Sequence, residues 1–197
     1  MKTFNAGFLQ RAELIELGVA CEGKDVKVHP SVVIINPERL TLGDHVRVDP
    51  FCILSATGGI RIGSFVHISG HCSLIGEGGI DVEDFATISH GVKIFSISDD
   101  TSGRHLTGPT VPGSSRKVLK ARVHLMRYAA IGAGAVLMPG VTVEQGGLVG
   151  PLSFVRRNIP AWTIWSGVPA RRINSRRRDL VQLAEGLIAA FGNQPGP

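Results

Sequence analysis

Apolar residues recur in this chain at intervals of six, and the sixes are grouped in blocks of twenty. Leu42, Val48 and Leu54 make one block, Ile62, Ile68 and Leu74 the next, and Val82, Ile88 and Ile94 the third. Each block is three sixes and a surplus pair, at Gly58-Gly59, Gly78-Gly79 and Ser98-Asp99. A fixed period of this size marks a repeat architecture. One apolar residue every six positions, with a turn between, does not match the 3.6-residue period of a helix. It predicts short strands joined by tight corners, three strands to a turn. The result is an all-β prism of triangular section, filled by a stacked column of Leu, Ile and Val. Successive turns then lie about 4.8 Å apart, the ordinary strand spacing.

The repeat begins irregularly at Val28 and is regular from Leu42. It is broken once. Val123 and Leu125 reproduce the Ile60/Ile62 and Ile80/Val82 doublets, and Ile131, Leu137, Val143, Val149 and Val155 then follow at sixes. Leu125 stands 43 residues after Val82 where the period predicts 20, so about 98–120 is an insertion. Structureless loops beyond ~15 residues are uncommon and usually functional or disordered. This one carries Asp99, Asp100, Arg104 and His105, groups able to do chemistry or bind anions.

The ends read differently. Residues 1–24 predict a short amphipathic helical cap stopping at Gly18, with Phe8, Leu9, Leu14 and Leu17 on one face. The β-helix covers 25–160. Residues 161–197 predict an extended segment with two Trp that leaves the prism, then a helix over 175–191 and a disordered tail. In that helix Leu180, Leu183, Leu187 and Ile188 share a face, and Arg176 to Arg178 are its solvated start.

At 197 residues the chain suits one domain with small ends. A net charge of +5 permits nucleic acid, an anionic surface or a phosphorylated small molecule as partner. Twenty-five Gly against a single Tyr favour a turn-rich β-structure. Cys21, Cys52 and Cys72 form no CxxC, and an odd count argues against a disulfide framework. Cys52 and Cys72 occupy one position in successive blocks and read as small apolar fillers. No apolar run reaches the ~18 residues of a membrane span, and the N-terminus lacks a signal-peptide core. The expected setting is the cytoplasm, with no membrane partner.

The hexapeptide pattern, together with IGAGAVLMPGVTV (131–143) and WSGVPARRI (165–173), resembles the left-handed β-helix acyltransferases that use acetyl-CoA. Residues 26–173 carry the resemblance. Within that family the chain is most similar to bacterial sugar acetyltransferases. The left hand of the coil is implied by the resemblance alone. So are a homotrimer of parallel prisms, active sites between subunits, and CoA lying along the intersubunit groove with its thiol near the interrupting loop.

The resemblance also places residues. Sugar O-acetyltransferases of the family carry a catalytic His just after a strand like VKIFSIS, and that position is Asp99 here. A hydroxyl acceptor needs a base such as His. A neutral amine already has a nucleophilic lone pair, and a carboxylate can orient its ammonium or accept its proton. The departure therefore favours an amino-sugar acceptor. The plain alternative is that Asp99-Asp100 merely begin a loop.

His71 and His90 flank one corner on adjacent coils and are the other catalytic candidates. Asp99 of one subunit facing His71 of another is the expected arrangement, and exposed corner histidines are the alternative. His67 and His71 make an H-x3-H pair, but on a strand and corner that spacing does not gather two rings, so no metal is expected. Asp100, Arg104 and His105 are candidate acceptor contacts. For CoA the family motif maps onto Ala133 and Pro151, then Arg156, Arg157 and Arg171, whose guanidiniums suit phosphates. Pro151 lacks the N–H usual at its position. No aromatic platform or reading helix accompanies the basic residues, so nucleic acid is not an expected partner.

The combined expectation is transfer of acetyl from acetyl-CoA to the amine of a nucleotide-linked sugar, in surface-polysaccharide or natural-product assembly. The alternatives are sugar O-acetylation with His71 or His90 as base, and a non-catalytic β-helix binding protein. A γ-type carbonic anhydrase lacks its histidine spacing here.

Overall fold

The structure is a computed structural model, and it describes residues 7–192. The chain winds as a parallel solenoid with three faces. The first face stacks Ala20–Cys21, Leu40–Leu42, Ile60–Ile62, Ile80–Val82, Val123–Leu125 and Thr142–Val143. The second stacks Val26–Val28, Val46–Val48, His67–Ile68, Thr87–Ile88, Ala130–Ile131, Leu148–Val149 and Thr163–Gly167, closed by antiparallel Ala170–Ser175. The third stacks Val33–Ile35, Ile53–Ser55, Ser73–Ile75, Lys93–Phe95, Val136–Leu137 and Phe154–Val155.

Register follows the period. Leu42 pairs with Ile62 and Ile62 with Val82, while Val82 pairs with Leu125 across the insertion. Every residue of the interior column from Leu42 to Ile94 is buried, as are Ile131, Leu137, Val143, Val149 and Val155. Each such side chain contributes about 1.5–3 kcal/mol by leaving water. The three cysteines are free and buried. The Cys52 and Cys72 thiols each donate to a serine carbonyl, those of Ser69 and Ser89, both at 3.1 Å.

The corners have their own chemistry. Asp84 Oδ1 accepts the Ser64 N–H at 2.8 Å, Ser64 Oγ accepts the Asp44 N–H at 3.0 Å, and Asp44 Oδ1 accepts the Lys24 N–H at 2.8 Å. A ladder of short polar side chains thus satisfies backbone donors at the first corner. Beside it runs a column in the left-handed backbone region: His45, Phe65, Phe85, Tyr128 and Trp162. Their rings stack, with centroids 4.7 Å apart for His45–Phe65, 4.8 Å for Phe65–Phe85 and 5.5 Å for Phe85–Tyr128. Gly146 lies in the same column at φ +67, and a Cβ there would overlap the Trp162 ring.

Several end-segment expectations fail. Helix α1 is only Arg11–Glu16, and Leu14 is its one buried residue. Leu17 is exposed, and Leu9 pairs with Val28 as an antiparallel bridge before the helix starts. Backbone pairing of Leu9 to the coils and the single buried side chain of Leu14, not a broad amphipathic face, fix this end. The solenoid itself begins earlier than Val28, since Ala20 pairs with Thr41 and Cys21 with Leu42. At the other end Thr163–Gly167 does not leave the prism but extends the second face in parallel with Leu148–Val149.

Helix α2, Leu180–Gly192, starts later than expected and lies along the aromatic column, with Phe191 4.5 Å from His45. Phe191 also lies 5.6 Å from Phe65, and small Ala184 is buried while Leu183 is 75% exposed. Arg176 is not a solvated helix start. It is half-buried and donates to the carbonyls of Tyr128 and Gly146 at 2.8 and 3.2 Å. Burial lowers its pKa from the ordinary arginine value. Arg178 lies 5.2 Å over the Trp162 ring. Residues 1–6 and the tail 193–197 lie outside the described residues.

Candidate active site

The solenoid opens at the corner between the third and first faces. Two coils earlier this corner runs Ala56-Thr57-Gly58-Gly59, and one coil earlier Gly76-Glu77-Gly78-Gly79. On the next coil Ser96 takes the Gly76 position, and Ala121 and Arg122 take those of Gly78 and Gly79. Residues 97–120 therefore stand where one residue, Thr57 or Glu77, closes the corner before. Buried Ser96 accepts the Gly78 N–H on its hydroxyl at 2.8 Å and the Ala121 N–H on its carbonyl at 3.0 Å, pinning both ends of the excursion. Lys120 pairs with Glu77 at 2.8 Å.

The insertion is structured. Ile97–Asp99 and Val118–Lys120 form an antiparallel hairpin base, Leu106 bridges Arg116, and Gly113–Ser115 makes a 3₁₀ turn. Asp99 lies at the end of the outgoing arm. Its Oδ2 accepts the Gly108 N–H at 2.9 Å, and its Oδ1 lies 3.2 Å from Arg116 Nε. Asp100 accepts the Ser102 N–H at 2.9 Å and faces His105 Nδ1 at 2.9 Å. Those bonds, Ser102 foremost, hold the Asp100 carboxyl down at about 2.

Below the hairpin is a cleft of about 730 Å³. Asp99, Asp100, Arg104 and Lys117 line it from the loop, and Met138, Phe154 and Arg156 from the following coils. Arg156 also borders a shallow depression with Arg157, Trp165, Pro169 and Arg171. A continuous path of cationic groups thus leads from the hairpin cleft to the Ala170–Ser175 strand. It brings together Asp99, Asp100 and Arg104 with Arg156, and Arg156 with Arg157 and Arg171. His105 stands behind Asp100 and is not part of the cleft wall.

His71 and His90 lie elsewhere, at the corner between the second and third faces. Their ring centroids are 5.1 Å apart, and Phe51 stacks on His71 at 5.0 Å. His71 takes positive φ, as do Phe51 before it and Gly91 after it. Ala133 and Pro151 continue this corner on later coils, both exposed. The Ala133 carbonyl accepts the Leu152 N–H at 2.8 Å. Within one chain this corner and Asp99 flank opposite edges of the third face and do not meet. Among the described residues no group of three His, Cys, Asp or Glu side chains is placed to hold a metal ion, and no helix is long and apolar enough to cross a membrane.

Arg116 and Lys117 were not foreseen as site residues. They sit at the end of an aperiodic stretch, and only the folding of the hairpin brings them to Asp99.

No family model matches the chain. It is 32% identical over 96 residues to dTDP-4-amino-4,6-dideoxy-D-glucose acyltransferase of Escherichia coli, a match covering 49% of this chain and 50% of that protein. The matched stretch thus spans about half the length of that relative. Among solved structures, AntD, an N-acyltransferase from Bacillus cereus, in complex with dTDP and 3-hydroxybutyryl-CoA, superposes with TM-score 0.91 and 36% identity, covering 95% of this chain and 99% of that one. Further structures of AntD carry substitutions at an aspartate and at a serine ten residues before it. A hexapeptide-repeat acetyltransferase from Vibrio cholerae complexed with acetyl coenzyme A is similar in fold, with TM-score 0.60 and 21% identity, over 85% of this chain and 76% of that one.

Proposed function

This chain belongs to the left-handed β-helix, hexapeptide-repeat acyltransferases, and on that premise we propose that it moves an acyl group from acyl-CoA to the amine of a nucleotide-linked amino sugar. The observation that carries the choice of an amine is Asp99. An acid lines the hairpin cleft where a hydroxyl-acylating relative needs a histidine, and no histidine among the described residues lines that cleft. The likeness to AntD, which extends over nearly both chains, points the same way. This chain also has a serine ten residues before Asp99, Ser89, matching the spacing of the two substituted AntD positions.

The chemistry is short. The neutral amine attacks the thioester carbonyl carbon, a tetrahedral intermediate forms, and the C–S bond breaks. One proton leaves nitrogen and the CoA sulfur departs as thiol. Asp99 receives the arriving ammonium by charge and orients its lone pair once that first proton has passed to water, a positioning role. The cationic path through Arg156, Arg157 and Arg171 suits the phosphates of CoA, and Arg104 with Lys117 suits those of the acceptor. His71 and His90 complete a site only across a subunit boundary, as in a homotrimer. The outer side of the third face supports such packing, because Val33, Ile35, Ile53 and corner residues Phe51 and Leu152 are exposed there. Synthesis of a surface polysaccharide or natural product in the cytoplasm is the setting that suits such a product.

The test is a paired assay. With dTDP-4-amino-4,6-dideoxyglucose and either acetyl-CoA or 3-hydroxybutyryl-CoA, the enzyme releases CoA thiol and forms the amide. The 4-hydroxyl analogue reacts at least ~10²-fold more slowly. Equal turnover of the hydroxyl analogue replaces this reading with O-acylation. Absence of CoA binding by calorimetry replaces it with a non-catalytic role.

A further inference from the structure

We propose that Arg116 is a positioning residue for the transfer, holding the Asp99 carboxylate aimed into the hairpin cleft where the acceptor's amine arrives. The inference rests on the reading of Asp99 as the amine contact. Three separate stretches converge on this carboxylate. Asp99 ends the outgoing arm, Gly108 near the tip donates its N–H to Oδ2 at 2.9 Å, and Arg116 on the returning arm sets Nε 3.2 Å from Oδ1. The Arg116 and Asp99 side chains are 22% and 26% exposed. A pair this shielded is screened by salt far less than a surface pair.

The neighbouring charges show which cation serves Asp99. Asp100 draws its own support from Ser102 and His105. Arg104, Lys117 and Arg156 share the cleft, yet none forms an ion pair among the described residues. Arg116 is therefore the cation that balances Asp99. Each carboxylate oxygen meets one protein partner, so an ammonium entering the cleft meets an acceptor already oriented. Fixing that orientation beforehand removes the reorganisation otherwise needed during the reaction.

A double-mutant cycle separates this role from that of a loop staple. Arg116→Met lowers kcat on the order of 10²-fold, with the KM for acyl-CoA held within about twofold. Arg116→Lys recovers most of the rate. If Arg116 acts through Asp99, the Asp99→Asn/Arg116→Met variant is no slower than Asp99→Asn alone. A staple gives another pattern, in which the two losses multiply and the acyl-CoA KM and Tm move with kcat. Multiplied losses, or an unimpaired Arg116→Met, overturn the inference while leaving the amine reading intact. An unimpaired Asp99→Asn overturns the reading beneath it. Arg116→Gln keeps an N–H donor while removing the charge, and it carries the same cycle should the methionine variant fail to fold.

Discussion

Asp99 and Asp100 are neighbours in sequence with separate tasks. Both line the cleft, but Asp99 is held by Gly108 and Arg116 while Asp100 closes the loop on Ser102 and His105. The pKa of Asp100 is lowered to about 2 by the Ser102 backbone and hydroxyl and by His105. A depressed carboxyl pKa stabilises the fold above the unfolded value near 3.8, and the contribution is lost as pH falls toward 2. The expected result is a carboxyl ¹³C titration midpoint near 2 in the folded protein. A midpoint at the ordinary aspartate value shows that the turn is not formed in solution. The break in the repeat made this acidic pair legible in the sequence. Its partners were not, because Gly108 and Arg116 obey no period and reach Asp99 only through the hairpin's own fold.

At the scale of elements, the coil and the hairpin are separable. The period exposed the strands between Leu42 and Ile94 and between Val123 and Val155 because each one buries a residue at a fixed interval. It also located the insertion, which leaves the corner at Ile97, one residue before the boundary the spacing suggested. Ser96 and Ala121 already occupy the positions that Gly76 and Gly78 hold one coil earlier. Replacing residues 97–120 by a single glycine should therefore close the corner in register. Circular dichroism should keep its β-signature, and acyl transfer should be lost completely. A collapsed or aggregated product shows that the hairpin is part of the folding unit.

Helix α2 taught the opposite lesson. Its 3.6-residue pattern named Leu183 as a contact, but the helix meets a column of stacked rings with Phe191 and buries Ala184, while Leu183 stays exposed. That column was hidden because its rings lie on the outside of a corner, at positions with positive φ where a glycine or asparagine is the usual expectation. Gly146→Ala sets a methyl against the Trp162 ring. A loss of about 1–3 kcal/mol is expected by denaturant unfolding, and Gly146→Ala/Trp162→Ala should lose less than the two single losses combined.

At the scale of the whole molecule, the three faces differ in what they show to water. The first face presents Arg61, Asp81 and Arg122, joined by ion pairs of 2.9 and 2.7 Å. The third presents Val33, Ile35 and Ile53 to solvent. An apolar strip on one face of a prism is covered when copies pack around an axis, and closed rotational symmetry then sets each subunit's third face against its neighbour. In such a ring the corner of His71 and the cleft of Asp99, which flank opposite edges of the third face, can meet across the boundary. Mixing two impaired chains tests this directly. Asp99→Asn and His71→Ala chains assembled separately should each be slow. Co-refolded in equal amounts, a site takes its aspartate from one chain and its histidine from the next in roughly a quarter of cases. Activity should return to about that fraction of wild type. If the site is built within one chain, mixing restores nothing, because every subunit carries one of the two lesions. The companion variant Ile53→Glu should shift the assembly toward monomer by light scattering, and the loss of transfer should follow the loss of assembly.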